Sequence, residues 1–239
     1  PSVPVPSQVD FYFMQYILNA IRGALIGMAE LVPGISGGTV ALIVGIYERA
    51  VHNANDLISG RFKKVEWSFL FSVAIGMFIA VFGMSTVLSN FVENHVSASG
   101  ALFLGMVAVS IFVPLSMLSK QERLCPSSII AFIAAAVVIF IVTGFTSEPH
   151  EDPSLIVVFF AAAIAVCALI LPGISGSLIL LTMGLYQPII GAVSDRELGT
   201  MGVFALGALC GLAAFIKLLN YLLSSHRAPT LAAMAGFML

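Results

Sequence analysis

Leu31-Val-Pro-Gly-Ile-Ser-Gly-Gly-Thr-Val-Ala-Leu-Ile-Val-Gly-Ile-Tyr47 recurs far downstream as Ile170-Leu-Pro-Gly-Ile-Ser-Gly-Ser-Leu-Ile-Leu-Leu-Thr-Met-Gly-Leu-Tyr186. The two stretches share the whole Pro-Gly-Ile-Ser-Gly run, and Leu42, Gly45 and Tyr47 match Leu181, Gly184 and Tyr186 in the same register. Proline lacks an amide donor and clashes with the preceding helical turn, so each copy breaks whatever helix contains it. Both breaks lie inside apolar sequence. From Ser154 to Ser194 there is no charge, yet at 1.5 Å per residue one helix of that length would be about twice the thickness of a bilayer core. The segment turns back, and Leu171-Pro-Gly-Ile-Ser-Gly176 is read as the only strong breaker in it. Phe11 to Val32, followed by Pro33-Gly-Ile-Ser-Gly-Gly38 and then Thr39 to Ile46, repeats the layout.

Outside these stretches the composition points to the same solvent. Hydrophobic residues make up 59% of the chain and charged ones 9%, with a mean hydropathy of +1.07, against roughly 25% charged in ordinary soluble domains. Ser68–Phe91, Ala98–Ser119 and Ser127–Thr146 each supply an uncharged run long enough to span. A net charge of −2 provides no basic surface for nucleic acid. Cys125, Cys167 and Cys210 match neither a zinc nor a disulfide spacing and read as small hydrophobes. His95 and His226 read as helix-end residues, and no metal site is expected. The fold class that follows is an all-α integral membrane protein, an inverted-topology repeat with two broken or re-entrant helical pairs plus full transmembrane helices.

Lys and Arg in short loops set orientation. Arg61, Lys63 and Lys64 mark one loop as cytoplasmic, and Lys120 with Arg123 mark another two spans on. The acidic Ser147-Glu-Pro-His-Glu-Asp-Pro153 falls outside by the same parity, so the second broken pair starts from the side opposite the first. The chain then divides into a flexible arm (1–10), a first repeat (11–119), a connecting span with loops (120–153) and a second, inverted repeat (154–239), within one membrane domain. Extending the repeat pairs Asp56 with Asp195 and, after a small gap, Gly76 with Gly211, His95 with His226 and Gly105 with Gly236. The counterpart of Val109–Leu118 is missing, and Pro1–Pro6 has no initiator Met. The sequence is therefore expected to be a piece of a longer protein that continues past Leu239.

Broken helices in inverted repeats place irregular backbone near the bilayer midplane, where it survives only if buried or facing water. Isolated glycines such as Gly76, Gly83, Gly105, Gly207 and Gly211 are expected only to pack helices closely. The paired motif asks for more. After Pro33 and Gly34, the run Ser36, Gly37, Gly38 and Thr39 opens a helix whose first amides lack acceptors, which suits an anion, phosphate foremost. Pro172 and Gly173 lead into Ser175, Gly176 and Ser177 in the same way, giving two facing helix ends. Ser36 and Ser175 are also expected to N-cap. On the first helix Tyr12, Gln15, Asn19, Arg22 and Glu30 share an arc of roughly 80° at 100° per residue. Arg22 suits a phosphate, and Glu30 suits a coupling proton; the plain alternative is a tie between them. Their counterparts are Ala161 and Leu169, so charge chemistry is asymmetric. Lys217 reads as snorkelling, and Glu48, Arg49 and Asp56 as solvated loop charges.

Ala29-Glu-Leu-Val-Pro-Gly-Ile-Ser-Gly-Gly-Thr39 with Gly45-Ile-Tyr-Glu48, the second copy through Tyr186, and His226-Arg227-Ala-Pro-Thr230 resemble a family long described as a domain of unknown function and now associated with polyprenyl-phosphate transport. The resemblance covers nearly the whole chain. It implies a multi-pass protein of the plasma or inner membrane, a flippase returning undecaprenyl phosphate, the carrier lipid of cell-wall synthesis, to the cytoplasmic leaflet. It implies no cofactor beyond a coupling proton or other ion. By position it carries over Glu30, Pro33, Gly34, Ser36, Gly37, Gly38, Pro172, Gly173, Ser175 and Gly176, with Ser177 departing from Gly38. A carrier for another phosphate or carboxylate is an alternative. So is a membrane lipid-pyrophosphate phosphatase, whose pattern has an Arg in the second motif and several acids near the first; this chain lacks both.

Overall fold

The computed structural model describes residues 8–31, 36–144 and 153–239, so Pro33, Gly34 and most of the acidic 147–153 loop lie outside it. Every described element is a helix. α1 (Gln8–Glu30), α2 (Gly37–Ile43), α3 (Tyr47–Ile58), α4 (Trp67–Asn94) and α5 (Val96–Ser110) are followed by α6 (Phe112–Ser116), α7 (Lys120–Arg123) and α8 (Pro126–Gly144). Then α9 (Leu155–Ile170), α10 (Gly176–Thr182), α11 (Tyr186–Ser194), α12 (Leu198–Ser225) and α13 (Arg227–Phe237) take up the order of α1 to α5.

Among the described residues, the helices long and apolar enough to cross a bilayer are Trp67–Leu88, Val96–Ser116, Pro126–Gly144 and Leu198–Ser225, or up to 5 spans if the bent α10–α11 pair is one. Their surfaces stay apolar where exposed: Phe82 and Phe140 are 75% and 80% open. A water-soluble fold would bury such side chains, whereas lipid solvates them.

The Pro-Gly run is not the only breaker in the second apolar stretch. Gly184 ends α10 with φ +69, and α11 leaves at 112° to it. Gly45 ends α2 with φ +76. In both, the glycine amide bonds the carbonyl three residues back and the next amide reaches five back (Gly45 N to Leu42 O, 3.1 Å; Ile46 N to Ala41 O, 3.0 Å; Gly184 N to Leu181 O, 3.0 Å; Leu185 N to Leu180 O, 2.9 Å). This is a Schellman stop, which needs the left-handed backbone that glycine adopts freely.

Cap geometry and packing correct two points of the repeat register. α3 is 12 residues long and α11 only 9, so Asp195, the C-cap of α11, stands where Ser59 caps α3; Asp56 lies inside its helix. α4 and α12 both have 28 residues and end at His95 and His226, with φ −131 and ψ 51 against φ −134 and ψ 45. This ungapped register pairs Gly76 with Gly207, not Gly211. A Cβ at Gly76 would strike the backbone of Ala20 on α1, and one at Gly207 the backbone of Phe159 on α9. Ala20 and Phe159 are themselves matched by the register that aligns the two motifs. Both crossings therefore rest on the same small-residue contact.

The core that positions the site is shared between the copies. Ile26 and Ala29 of α1, Val40, Ala41 and Leu42 of α2, and Tyr47 and Val51 of α3 pack with Leu219 and Leu223 of α12 and Leu231 and Met234 of α13. α10 and α11 form a smaller cluster with α9, through Ala161, Ala165, Leu180, Leu185 and Ile189.

Candidate functional site

The first turn of α2 touches the second break. Thr39 Oγ1, on the first turn of α2, accepts the backbone N–H of Gly173 at 2.8 Å. A Cβ on Gly38 would fall 3.0 Å from the carbonyl oxygen of Ile170 and 3.6 Å from the nitrogen of Pro172. Tyr47, at the start of α3, donates its hydroxyl to that same Ile170 carbonyl at 2.9 Å. Ile170 ends α9, where carbonyls have no amide of their own helix left to accept from. A residue of the first copy thus closes a helix end of the second.

Ser36 takes the N-cap position of α2 with extended backbone (φ −89, ψ 127), and Ser175 does so for α10 (φ −101, ψ 125). Neither side chain makes the capping hydrogen bond. Ser175 Oγ lies 2.8 Å from Ser177 Oγ. Ser36 Oγ is buried, in a residue 8% exposed, and has no hydrogen-bond partner among the described residues. Ser128 Oγ on α8 is the other such hydroxyl among the described residues, and a buried hydroxyl without a partner is uncommon. Ser36, Thr39, Ser110 and Gly173 share a small cavity of about 40 Å³ with Val40, Ile43, Met106, Val107 and Met238.

Other expected residues are arranged less simply. Glu30 stands against Gly37: a Cβ built on that glycine would strike Glu30 Oε1, so the protein's own carboxylate faces the first turn of α2. In the second copy Leu169 stands over Gly176 as Glu30 stands over Gly37. Arg22 does not pair with Glu30; it reaches Asn19 Oδ1 at 3.4 Å, two helical turns or roughly 12 Å along the axis from Glu30. Of the polar stripe, Asn19 is buried and Gln15 exposed, while the side chain of Tyr12 lies outside the described set. Ser175, Gly176 and Ser177 do not line the cavity that Ser36 and Thr39 share with Gly173.

Charges set aside as solvated loop residues are instead built into α3. Asp56 is 2% exposed and pairs with Arg61 at 2.8 Å, with His52 at 3.6 Å. Glu48 pairs with Arg227 of α13 at 2.9 Å, and His52 Nδ1 lies 3.4 Å from Asn220 Oδ1 of α12. Arg49 holds Glu66, whose backbone N–H donates to Asn53 Oδ1 at 2.6 Å. Sequence reasoning missed this network because α3 follows an apolar segment. Its signal was the run of acids, bases and amides from Glu48 to Asp56. Lys217 is exposed, as snorkelling requires.

Several bilayer-length apolar helices among the described residues, with the first turn of α2 packed on the second break, make this a multi-pass membrane protein. The chain belongs to the undecaprenyl phosphate translocase-like family, whose profile matches residues 26–239. It is 33% identical over 238 residues to a polyprenyl-phosphate transporter of Vibrio cholerae, covering 95% of this chain and 76% of the relative. It is 30% identical over 235 residues to a polyprenyl-phosphate transporter of Staphylococcus aureus, covering 92% and 82%. No solved structure matches it.

Proposed function

We propose that this chain is a polyprenyl-phosphate transporter, a flippase that moves undecaprenyl phosphate across the plasma or inner membrane for carrier-lipid recycling. One observation carries the reading: the first turn of α2 meets the second break through Thr39 and Gly173, beside the unpartnered hydroxyl of Ser36. The phosphate is held by Ser36, Gly37, Gly38 and Thr39, with the Gly173 backbone alongside. Ser175, Gly176 and Ser177 take it in the alternate state, when the inverted second copy presents its own break. Glu30 Oε1 already lies against Gly37. Entry of the headgroup displaces that carboxylate, and a proton taken up by Glu30 removes the like-charge conflict. Arg22, nearer the start of α1, draws the anion toward the break. The positive-inside pattern places the α3–α4 loop, with Arg61, Lys63 and Lys64, in the cytoplasm.

The reading is transport rather than hydrolysis, because Ser36, Gly37, Gly38 and Thr39 supply hydroxyls and amides that hold a phosphate, whereas phosphoryl transfer needs cations around a nucleophile. Proteoliposomes loaded with labelled undecaprenyl phosphate test this. Leaflet exchange without release of inorganic phosphate is expected, faster with a proton gradient, and Ser36→Ala and Arg22→Ala should weaken binding of the lipid. In parallel vesicles loaded with undecaprenyl pyrophosphate, release of inorganic phosphate would make the protein an enzyme. Exchange of a soluble organic phosphate or carboxylate without the lipid would make it a different carrier.

A further inference from the structure

Gly105 does not behave as a packing glycine: a Cβ built there meets nothing within 4 Å. It opens into a trough of about 590 Å³ lined by Ile43, Ala101, Leu102, Met106, Val109 and Val113, with Ser110 at its inner end. The lining is almost wholly apolar, and Leu102 and Val109 are 52% and 66% exposed, so the trough lies open to lipid. At its inner end it shares Ile43, Met106 and Ser110 with the small cavity of Ser36, Thr39 and Gly173. An apolar trough facing lipid therefore adjoins a small cavity that three hydroxyls line, one of them buried and without a partner among the described residues. That sequence of environments matches an amphiphile with one polar end.

We infer that the α5 trough seats the headgroup-proximal isoprene units of the polyprenyl chain while the phosphate enters the Ser36–Thr39 pocket. The inference rests on the transport reading above and adds where the tail lies. Between the bilayer and an apolar trough there is no hydrophobic gain, since lipid tails are as apolar as the trough wall. The trough acts through shape and tethering: it fixes the direction from which a chain attached to the phosphate can leave. The 40 Å³ pocket is too small for a phosphate as it stands. Met106 and Met238 line it, and an unbranched thioether side chain is the kind that moves to admit a ligand. Met106 thus gates trough against pocket.

Because Gly105 faces open space, Gly105→Phe fills the trough without pushing helices apart. Gly83→Phe on α4, another glycine with nothing within 4 Å, adds the same ring outside the trough. With the full chain in nanodiscs, Gly105→Phe should weaken binding of undecaprenyl phosphate at least about fivefold by blocking the path of the tail, and Gly83→Phe should leave it unchanged. On the wild-type protein, undecaprenyl phosphate carrying a diazirine on the isoprene nearest the phosphate should label Leu102, Met106 or Val109 in preference to Phe78 or Phe82 of α4. Equal affinity in both variants, or labelling spread evenly over the lipid-facing residues as for an annular lipid, overturns the trough and leaves the transport reading standing. Wild-type protein that neither binds nor exchanges the lipid overturns both. The labelling arm needs no variant, so a misfolded Gly105→Phe does not rescue the idea.

Discussion

Replacing Tyr47 by Phe removes one hydroxyl and keeps a ring that is 4% exposed. The lost atom donates at 2.9 Å to the carbonyl of Ile170, the last residue of α9. That carbonyl has no amide of its own helix to replace it, and in the bilayer no water. Leaving a buried acceptor unpaired costs about 1–3 kcal/mol, which lowers the ratio of folded to unfolded protein about 5- to 150-fold. The repeat provides its own control. Tyr186 holds the same position in the second copy, but its hydroxyl makes no hydrogen bond among the described residues, so Tyr186→Phe should stay within about 0.5 kcal/mol of wild type. Reversible unfolding in mixed micelles, followed by the fluorescence of Trp67, the single tryptophan, measures both. Equal losses at the two positions, or none at Tyr47, would refute the claim that the first copy closes a helix end of the second.

Three further outcomes are expected. Arg61→Ala should destabilise more than Asp56→Asn in the same unfolding assay, because Asp56 keeps its charge in a buried site while Arg61, 46% exposed, can rehydrate when left alone. Glu66 lies just outside the α4 span, and its hydrogen bond from Arg49 holds its carboxyl below the usual glutamate range. Its contribution is complete above that range and is lost as pH falls through the lowered value, so Glu66→Gln should flatten the acid side of a stability–pH profile. Gly76→Leu should cost about 1–3 kcal/mol by driving α4 off the backbone of Ala20, whereas Gly83→Leu should unfold at the wild-type midpoint.

Much of the fold was legible in the chain. Charge-free runs of bilayer length announced α4, α5 and α8, and the two Pro-Gly-Ile-Ser-Gly copies announced the breaks, because helix length and proline chemistry are local. Gly45 and Gly184 were read as matched residues but not as breakers, since a positive φ is not written in a residue name. The isolated glycines looked alike as letters. Gly76 and Gly207 turn out to be contacts between backbones, while Gly83 and Gly105 face open space, a distinction made by the neighbouring helix. The same holds for the site. Sequence alone determined that Ser36, Gly37, Gly38 and Thr39 would open a helix inside apolar surroundings, with Glu30 and Arg22 upstream. Only tertiary structure joined Thr39 to Gly173, set Glu30 against Gly37 and left Ser36 without a partner among the described residues. It also kept Arg22 away from Glu30 and tied α3 to α12 and α13. Those relations join residues far apart in the chain, and no local propensity encodes which buried donor will meet which orphaned acceptor.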